Sequence, residues 1–150
     1  LPSGPVFPDR FPAGTVDNYL AESKISYTNI STGAWTAPRS HFTAGAEQSF
    51  IDEVAETAEK DPIDFRLELF NKAINNPVGK KYDYDADRYA GVLKLVKEKS
   101  NWRTGTPAVH RGVAAYYCHN SYVAEVMDVV VENNQPKVKK VWCYQSYAMS

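Results

Sequence analysis

Three acidic residues, Glu47, Asp52 and Glu53, are the side chains in this sequence that could serve as catalytic carboxylates. A carboxylate acts as a general acid or base when it is held against the reacting group. The same three residues lie near the predicted start of a helix, where the helix dipole favours negative charge. We therefore interpret them as a solvated first turn of a helix and predict no catalytic residue among them.

Arg66 is a second candidate, because a guanidinium group presents a planar set of donors that matches carboxylates and phosphates. Such a group could bind an anionic ligand. Arg66 also follows several acidic residues in the chain and lies within a predicted helix. We expect it to pair with a nearby carboxylate or to cap a carbonyl group.

Four residues of the types that bind zinc are present: Cys118, His119, Cys143 and His110. Zinc sites need three or four such ligands, usually in closely spaced pairs. The sequence contains no C-x-x-C and no H-x-x-x-H pair, and two cysteines do not make a disulfide framework. The sequence therefore predicts no metal site.

Motifs that carry a nucleophile are missing as well. The sequence has no glycine-rich phosphate loop and no G-x-S-x-G turn. Ser40 and His41 are neighbours in the chain, but adjacency alone does not bring a nucleophile and a base together. The sequence therefore does not indicate the converged nucleophile and base that a small stand-alone hydrolase needs.

The ten tyrosines and three tryptophans leave a binding function open. Aromatic side chains can line a surface that binds carbohydrate or peptide, and they can equally fill a core. Their dispersion along the chain favours packing in the core and strands. The alternative function is a non-catalytic module that binds carbohydrate or peptide through exposed aromatic residues.

Three helices are predicted before the strands. Apolar residues at helical spacing indicate the first one: Ile51, Val54, Ala55 and Ala58. Asp61 is a suitable N-cap for a second helix, with Pro62 at its first position, and its apolar residues are Ile63, Leu67 and Phe70. A third helix starts near Asp85 and ends at 100–101, and its apolar residues are Tyr89, Val92, Leu93 and Val96.

Strands are predicted at 112–118, 122–131 and 137–144, the last two joined by a five-residue turn at 132–136. Apolar residues on both faces of 122–131 indicate a strand that is covered on both sides. The fold class is α+β, with an antiparallel sheet of about three or more strands packed against two to three helices. Prolines predict an extended arm at 1–23, followed by the α+β piece at 24–150.

Composition is typical of a folded globular domain, with 43% hydrophobic and 23% charged residues in 150. The net charge of −1 argues against a general nucleic-acid partner. No apolar run approaches the length of a membrane span, and no signal peptide is recognisable. The compartment, cytoplasmic or periplasmic, stays open.

Several motifs resemble one enzyme family. The sequence T-G-A-W-T-A-P at 32–38 resembles the loop T-G-x-(M/W)-R-x-(P)-G of the molybdopterin-binding large subunits of xanthine dehydrogenase/aldehyde oxidase-type molybdenum hydroxylases. E-Q-S-F-I-D-E-V-A at 47–55 is similar to the family's E-S-F-I-D-E-L-A, and D-P-I-D-F-R-L at 61–67 resembles its D-P-x-x-F-R-L. The resemblance runs from about Tyr27 to Tyr144 and is strongest to the isoquinoline 1-oxidoreductase beta-subunit branch.

The resemblance implies an oxidoreductase that hydroxylates N-heterocycles or aldehydes with a water-derived oxygen. Such an enzyme binds a molybdopterin-cytosine dinucleotide cofactor and passes electrons to an iron–sulfur subunit. The family's catalytic glutamate belongs to a G-x-G-E motif that these 150 residues lack. We therefore expect an internal piece with no complete active site and no bound cofactor of its own, whose partner is the remainder of the large subunit.

Within this piece, the resemblance assigns cofactor contacts to Gly33, Thr36 and Arg39 in the intact protein. The family's loop arginine falls at Thr36, and threonine lacks the charged planar donors of arginine. Arg39, three residues later, is the candidate to replace it. We expect Gly33–Arg39 to form one wall of the cofactor or substrate pocket.

Overall fold

The computed structural model describes residues 8–22, 24, 26, 29–31, 40–79, 82–103 and 108–147. These residues form an α+β fold, as the sequence predicts. In chain order, the elements are α1 (Ser40–Thr57), α2 (Pro62–Asn75), α3 (Ala86–Lys99), β1 (His110–Cys118), β2 (Ser121–Glu132) and β3 (Gln135–Tyr147). The three strands pair antiparallel in the order β1-β2-β3.

Asp61 is confirmed as the N-cap of α2, and Asp85 caps α3, which begins where the sequence predicts. The Asp61 carboxylate accepts hydrogen bonds from the backbone N–H groups of Ile63 (2.9 Å) and Asp64 (3.0 Å), and Pro62 opens α2. At α3, the Asp85 carboxylate accepts from the backbone N–H of Arg88 at 3.0 Å. These bonds satisfy donors that the first helical turn leaves without partners, which fixes where each helix begins.

Helix α1 differs from its prediction at both its start and its buried face. It begins at Ser40, so Glu47, Asp52 and Glu53 lie beyond its first turn, which holds no acidic residue. The interpretation of these acids as a dipole-stabilised first turn is therefore wrong. The buried residues of α1 are Gln48, Ile51 and Ala55, whereas Val54 is half-buried and Ala58, just past the helix, is exposed.

The two hairpins are tighter than predicted. The β2–β3 connection is a two-residue turn at Asn133 and Asn134, whose φ angles are 51° and 62°. The predicted five-residue turn is wrong, because the strands extend up to the two asparagines. Asparagine tolerates positive φ better than most residues, and tight hairpin turns require it. The β1–β2 turn at His119 and Asn120 is built in the same way, with φ angles of 50° and 57°.

The core lies between one face of the sheet and helices α2 and α3. Alternate residues of β2 (Tyr122, Ala124 and Val126) point into it beside Val113 and Ala115 of β1. The predicted apolar face of α3 is confirmed, since its four residues Tyr89, Val92, Leu93 and Val96 are all buried. On the opposite face of the sheet the side chains are half-buried or exposed, so β2 is fully covered on one side and not on both.

The segment before α1 contributes to this core. Residues 8–18 form turns and bends where the sequence predicts an extended arm. Phe11 is buried, with its ring centroid 4.8 Å from that of Phe70, and the Tyr84 hydroxyl donates to the Ala13 carbonyl at 2.6 Å. Gly14 has a φ of 80°, and a Cβ there would collide with the Tyr82 ring. The segment is therefore held against the helices through specific contacts.

Candidate functional site

The predicted cofactor contacts Gly33, Thr36 and Arg39 lie outside the described residues. The description resumes at Ser40, the first residue of α1. This segment is followed directly by α1, and we call α1 with its contacts to Arg66 of α2 and Ala115 of β1 the platform.

Arg66 is the centre of the platform. Its side chain is 1% exposed, and its guanidinium group donates to four acceptors. Nε donates to the Gln48 side-chain oxygen (3.1 Å), and one terminal nitrogen donates to the Gln48 carbonyl (3.1 Å). The other donates to the Asp52 carboxylate (2.7 Å) and to the Pro62 carbonyl (2.9 Å). The prediction that Arg66 pairs with a carboxylate and caps a carbonyl is confirmed.

Gln48 joins three elements through its side chain, which is 6% exposed. Its oxygen accepts from Arg66 of α2 and from the backbone N–H of Ala115 in β1, at 3.0 Å. Its amide nitrogen donates to the Glu47 carboxylate at 3.0 Å. Since a buried polar group is costly without partners, these bonds fix α1 against both α2 and the sheet. The sequence carried a signal for this role, because Gln48 is in helical register with the buried Ile51 and Ala55.

Glu47 is an acidic residue whose pKa is strongly shifted by its surroundings. Burial raises its pKa from 4.5 to about 7, although the hydrogen bond from Gln48 and the charges of Arg66 and Arg10 lower it. Its charge in turn raises the pKa of four tyrosines around it, each of which burial raises more: Tyr19, Tyr84, Tyr89 and Tyr116. Glu47 therefore exchanges a proton near neutral pH, a property that general acid–base catalysis uses.

A shallow groove of about 350 Å³ runs between α1 and the sheet. Small residues of α1, Ala44 and Gly45, form one side, and Ala114, Val123 and Glu125 form part of the other. Gln48 and Asp52, which bind Arg66, also line the groove, but Glu47 does not. Glu47, the carboxyl group with the raised pKa, is thus separate from the groove. Together they do not form a catalytic set of nucleophile, base and oxyanion donors.

The zinc-type residues do not gather in the described part of the chain, where no three of His, Cys, Asp and Glu could hold a metal ion together. Cys118 and His119 are in contact, with the sulfur 2.9 Å from the ring Nδ1. Cys143 lies on β3 and His110 at the opposite end of β1.

Aromatic side chains serve mainly the core and its hydrogen bonds. The buried Tyr89 hydroxyl donates to the Ala115 carbonyl at 2.8 Å, and the Trp102 indole N–H donates to the Asp61 carboxylate at 2.7 Å. Among the described residues, Tyr147 alone of the Tyr and Trp side chains is largely exposed, at 66%. Among the residues that the structure describes, this distribution leaves no row of exposed tyrosine or tryptophan side chains for the carbohydrate- or peptide-binding alternative.

The chain is similar to the isoquinoline 1-oxidoreductase subunit beta of Brevundimonas diminuta, with 31% identity over 104 residues. The match covers 65% of this chain and 12% of the relative, so the chain spans about an eighth of the relative's length. No family model matches the chain, and no solved structure does. In the described part of the chain, no helix has the length and apolar character needed to cross a bilayer. The identity indicates a distant relationship to this oxidoreductase subunit.

Proposed function

We propose that this chain is the part of a molybdenum hydroxylase large subunit that supports one wall of the cofactor pocket. In this proposal it has no complete active site of its own. The intact enzyme hydroxylates N-heterocycles or aldehydes and passes electrons to an iron–sulfur subunit. The similarity to an isoquinoline 1-oxidoreductase subunit over 104 residues supports this assignment.

The observation that supports the proposal most directly is a contact between two of the motifs that resemble the family. Arg66 of D-P-I-D-F-R-L donates to both Gln48 and Asp52 of E-Q-S-F-I-D-E-V-A. Because Arg66 of α2 is buried and both of these partners lie on α1, the contact explains why both motifs are needed for one structural task. That task is to hold α1, whose first residue directly follows the loop at 33–39.

The residues of the loop suit an anionic cofactor. Arg39 offers charged, planar donors that match phosphate oxygens, Thr36 offers one hydroxyl, and Gly33 permits close approach of the backbone. Molybdopterin-cytosine dinucleotide carries phosphate groups, and when bound it supplies the redox chemistry of the hydroxylation. In this proposal Gly33, Thr36 and Arg39 only bind and orient it.

The test uses the full-length parent subunit, reconstituted with cofactor and partner. Replacing Arg39 by alanine (Arg39→Ala) removes the charged donors, so we expect lower molybdenum content after purification and slower turnover. Arg103→Ala, at an exposed position of the described chain, is the matched control and should change neither. Unchanged cofactor content and turnover in Arg39→Ala would refute the role of the loop.

The reverse substitution sharpens the test. Thr36→Arg restores the arginine that the family has at this position. If the loop faces the cofactor, this variant should retain more molybdenum than the unmodified subunit through a dialysis series, because a second charged donor slows release. Equal retention would place the loop away from the cofactor.

A further inference from the structure

Cys118 lies at the end of β1, where its thiol contacts two polar side chains. Its sulfur is 2.9 Å from Nδ1 of His119 and 3.0 Å from the hydroxyl oxygen of Ser40. Cys118 is half-buried, whereas the His119 ring is exposed. A nucleophile and a base within hydrogen-bond distance are the starting arrangement for thiol chemistry.

The hairpin turn fixes this arrangement. His119 and Asn120 both have positive φ, which turns the His119 ring back over the end of β1. The Asn120 side-chain oxygen accepts from the Tyr117 hydroxyl at 3.2 Å, and the Ser121 hydroxyl donates to the His119 carbonyl at 3.4 Å. These bonds fix the backbone of the turn that carries His119, and the ring itself contacts the Cys118 sulfur.

We propose that Cys118 is a reactive thiol that forms mixed disulfides with small-molecule disulfides, with His119 as its base. The thiol proton moves to Nδ1 of His119, and the thiolate attacks one sulfur of the incoming disulfide. A new bond forms from the Cys118 sulfur, the original S–S bond breaks, and the departing thiolate takes the proton from the imidazolium. The exchange needs no other oxidant, because one disulfide is consumed and one mixed disulfide is formed.

Cys143 provides the contrast within the same chain. It is the more exposed of the two cysteines, but its surroundings oppose ionisation. Partial burial of its sulfur raises the pKa of the Cys143 thiol, and the neighbouring Glu125 carboxylate raises it further. Reactivity governed by exposure would favour Cys143, whereas reactivity governed by the neighbouring base favours Cys118.

Modification of Cys118 has a structural consequence. The Ser40 hydroxyl contacts the sulfur, and Ser40 is the first residue of α1. A group attached to the sulfur replaces the thiol hydrogen, so the modified Cys118 can accept from the Ser40 hydroxyl but no longer donate to it. The site therefore places a modifiable thiol against the first residue of α1.

The experiment compares single-cysteine variants of this chain. Cys143→Ser leaves only Cys118, and Cys118→Ser leaves only Cys143. Each is mixed at neutral pH with 4,4′-dithiodipyridine, a neutral disulfide that the Glu125 charge does not repel, and the released thiopyridone is followed by absorbance. We expect Cys118 to react at least about a hundredfold faster than Cys143, the lower end of the assistance that a positioned base gives.

His119→Asn, made in the Cys143→Ser background, isolates the imidazole. Asparagine suits the positive φ at this position, as the Asn133–Asn134 turn of the same sheet demonstrates. We expect the rate of Cys118 to fall by about a hundredfold in this variant. In urea, where the contact is lost, the cysteines of all three variants should react at similar rates.

Two results would overturn the proposal: a Cys143 rate equal to or above that of Cys118 in the folded chain, or no change on His119→Asn. Circular dichroism of each variant establishes that the fold is retained. If His119→Asn does not fold, His119→Gln in the same background gives the same comparison. Neither measurement involves cofactor or turnover, so failure here is distinct from failure of the proposed function.

Discussion

Replacing Glu47 by glutamine should stabilise the protein at neutral and alkaline pH. Glutamine has the same shape, and its side-chain oxygen can still accept the hydrogen bond that Gln48 donates to Glu47. The substitution removes only the ability to ionise in a half-buried position. The structure therefore predicts a change in the pH dependence of the free energy of unfolding rather than a loss of packing.

The sign follows from the direction of the pKa shift. The folded state binds the Glu47 proton more tightly than the unfolded state, because burial raises the pKa from 4.5 to about 7. This contribution to stability is complete below pH 4.5, is lost as the pH rises towards 7, and stays lost above it. The shift corresponds to about 3 kcal/mol at roughly 1.4 kcal/mol per unit, and solvent screening of a half-buried group reduces it to about 1–3 kcal/mol.

Urea denaturation at intervals between pH 4.5 and 8.5 measures the effect. We expect the unmodified protein to lose stability between pH 5 and 7 relative to Glu47→Gln, and the two to be equally stable near pH 4.5. Glu53→Gln, at an exposed position of the same helix, should differ from the unmodified protein by less than about 0.5 kcal/mol throughout. Parallel curves for Glu47→Gln and the unmodified protein would refute the reasoning.

Two further substitutions test the platform and the packing of the N-terminal segment. Arg66→Met should destabilise the chain by about 3 kcal/mol, because the Gln48 oxygen and Asp52 lose their buried donor. Urea denaturation measures the loss of stability. A change below about 1 kcal/mol would contradict a central role for Arg66. Gly14→Ala should destabilise by about 2 kcal/mol, because alanine at positive φ is strained and its Cβ meets the Tyr82 ring. Its matched control is Gly45→Ala, where nothing lies within 4 Å of the new Cβ, so the helix should gain about 0.5–1 kcal/mol in the same assay. Equal effects at the two glycines would show that backbone strain at Gly14 is unimportant.

The elements that the sequence predicts well are those whose signals are local. Asp61 and Asp85 mark the starts of α2 and α3, because a cap needs only the next three residues of the chain. The start of α1 has no such signal, since the residues from Ser40 to Ala46 show no clear apolar period. The Asn133–Asn134 turn was missed because strand length on both sides, set by pairing, decides how many residues the turn contains.

The features of the candidate site depend on distant partners. Arg66 was predicted to find a carboxylate, and Asp52 fulfils this, but nothing local indicates that Ala115 approaches Gln48. The raised pKa of Glu47 likewise arises from its burial in the folded chain. Such burial becomes visible only when the elements are assembled, so the sequence could name these residues without giving their environment.

The Gln48 amide also has a consequence for the order of events in folding. Its bond to the Ala115 backbone N–H joins residues 67 positions apart in the chain, whereas its bonds to Arg66 join residues 18 apart. Contacts that close long loops form late, because the entropy of the intervening chain opposes them. We therefore expect α1 and α2 to associate first and to dock onto β1 only when the hairpins exist. The residues that precede Ser40 gain a fixed point of attachment at this last step.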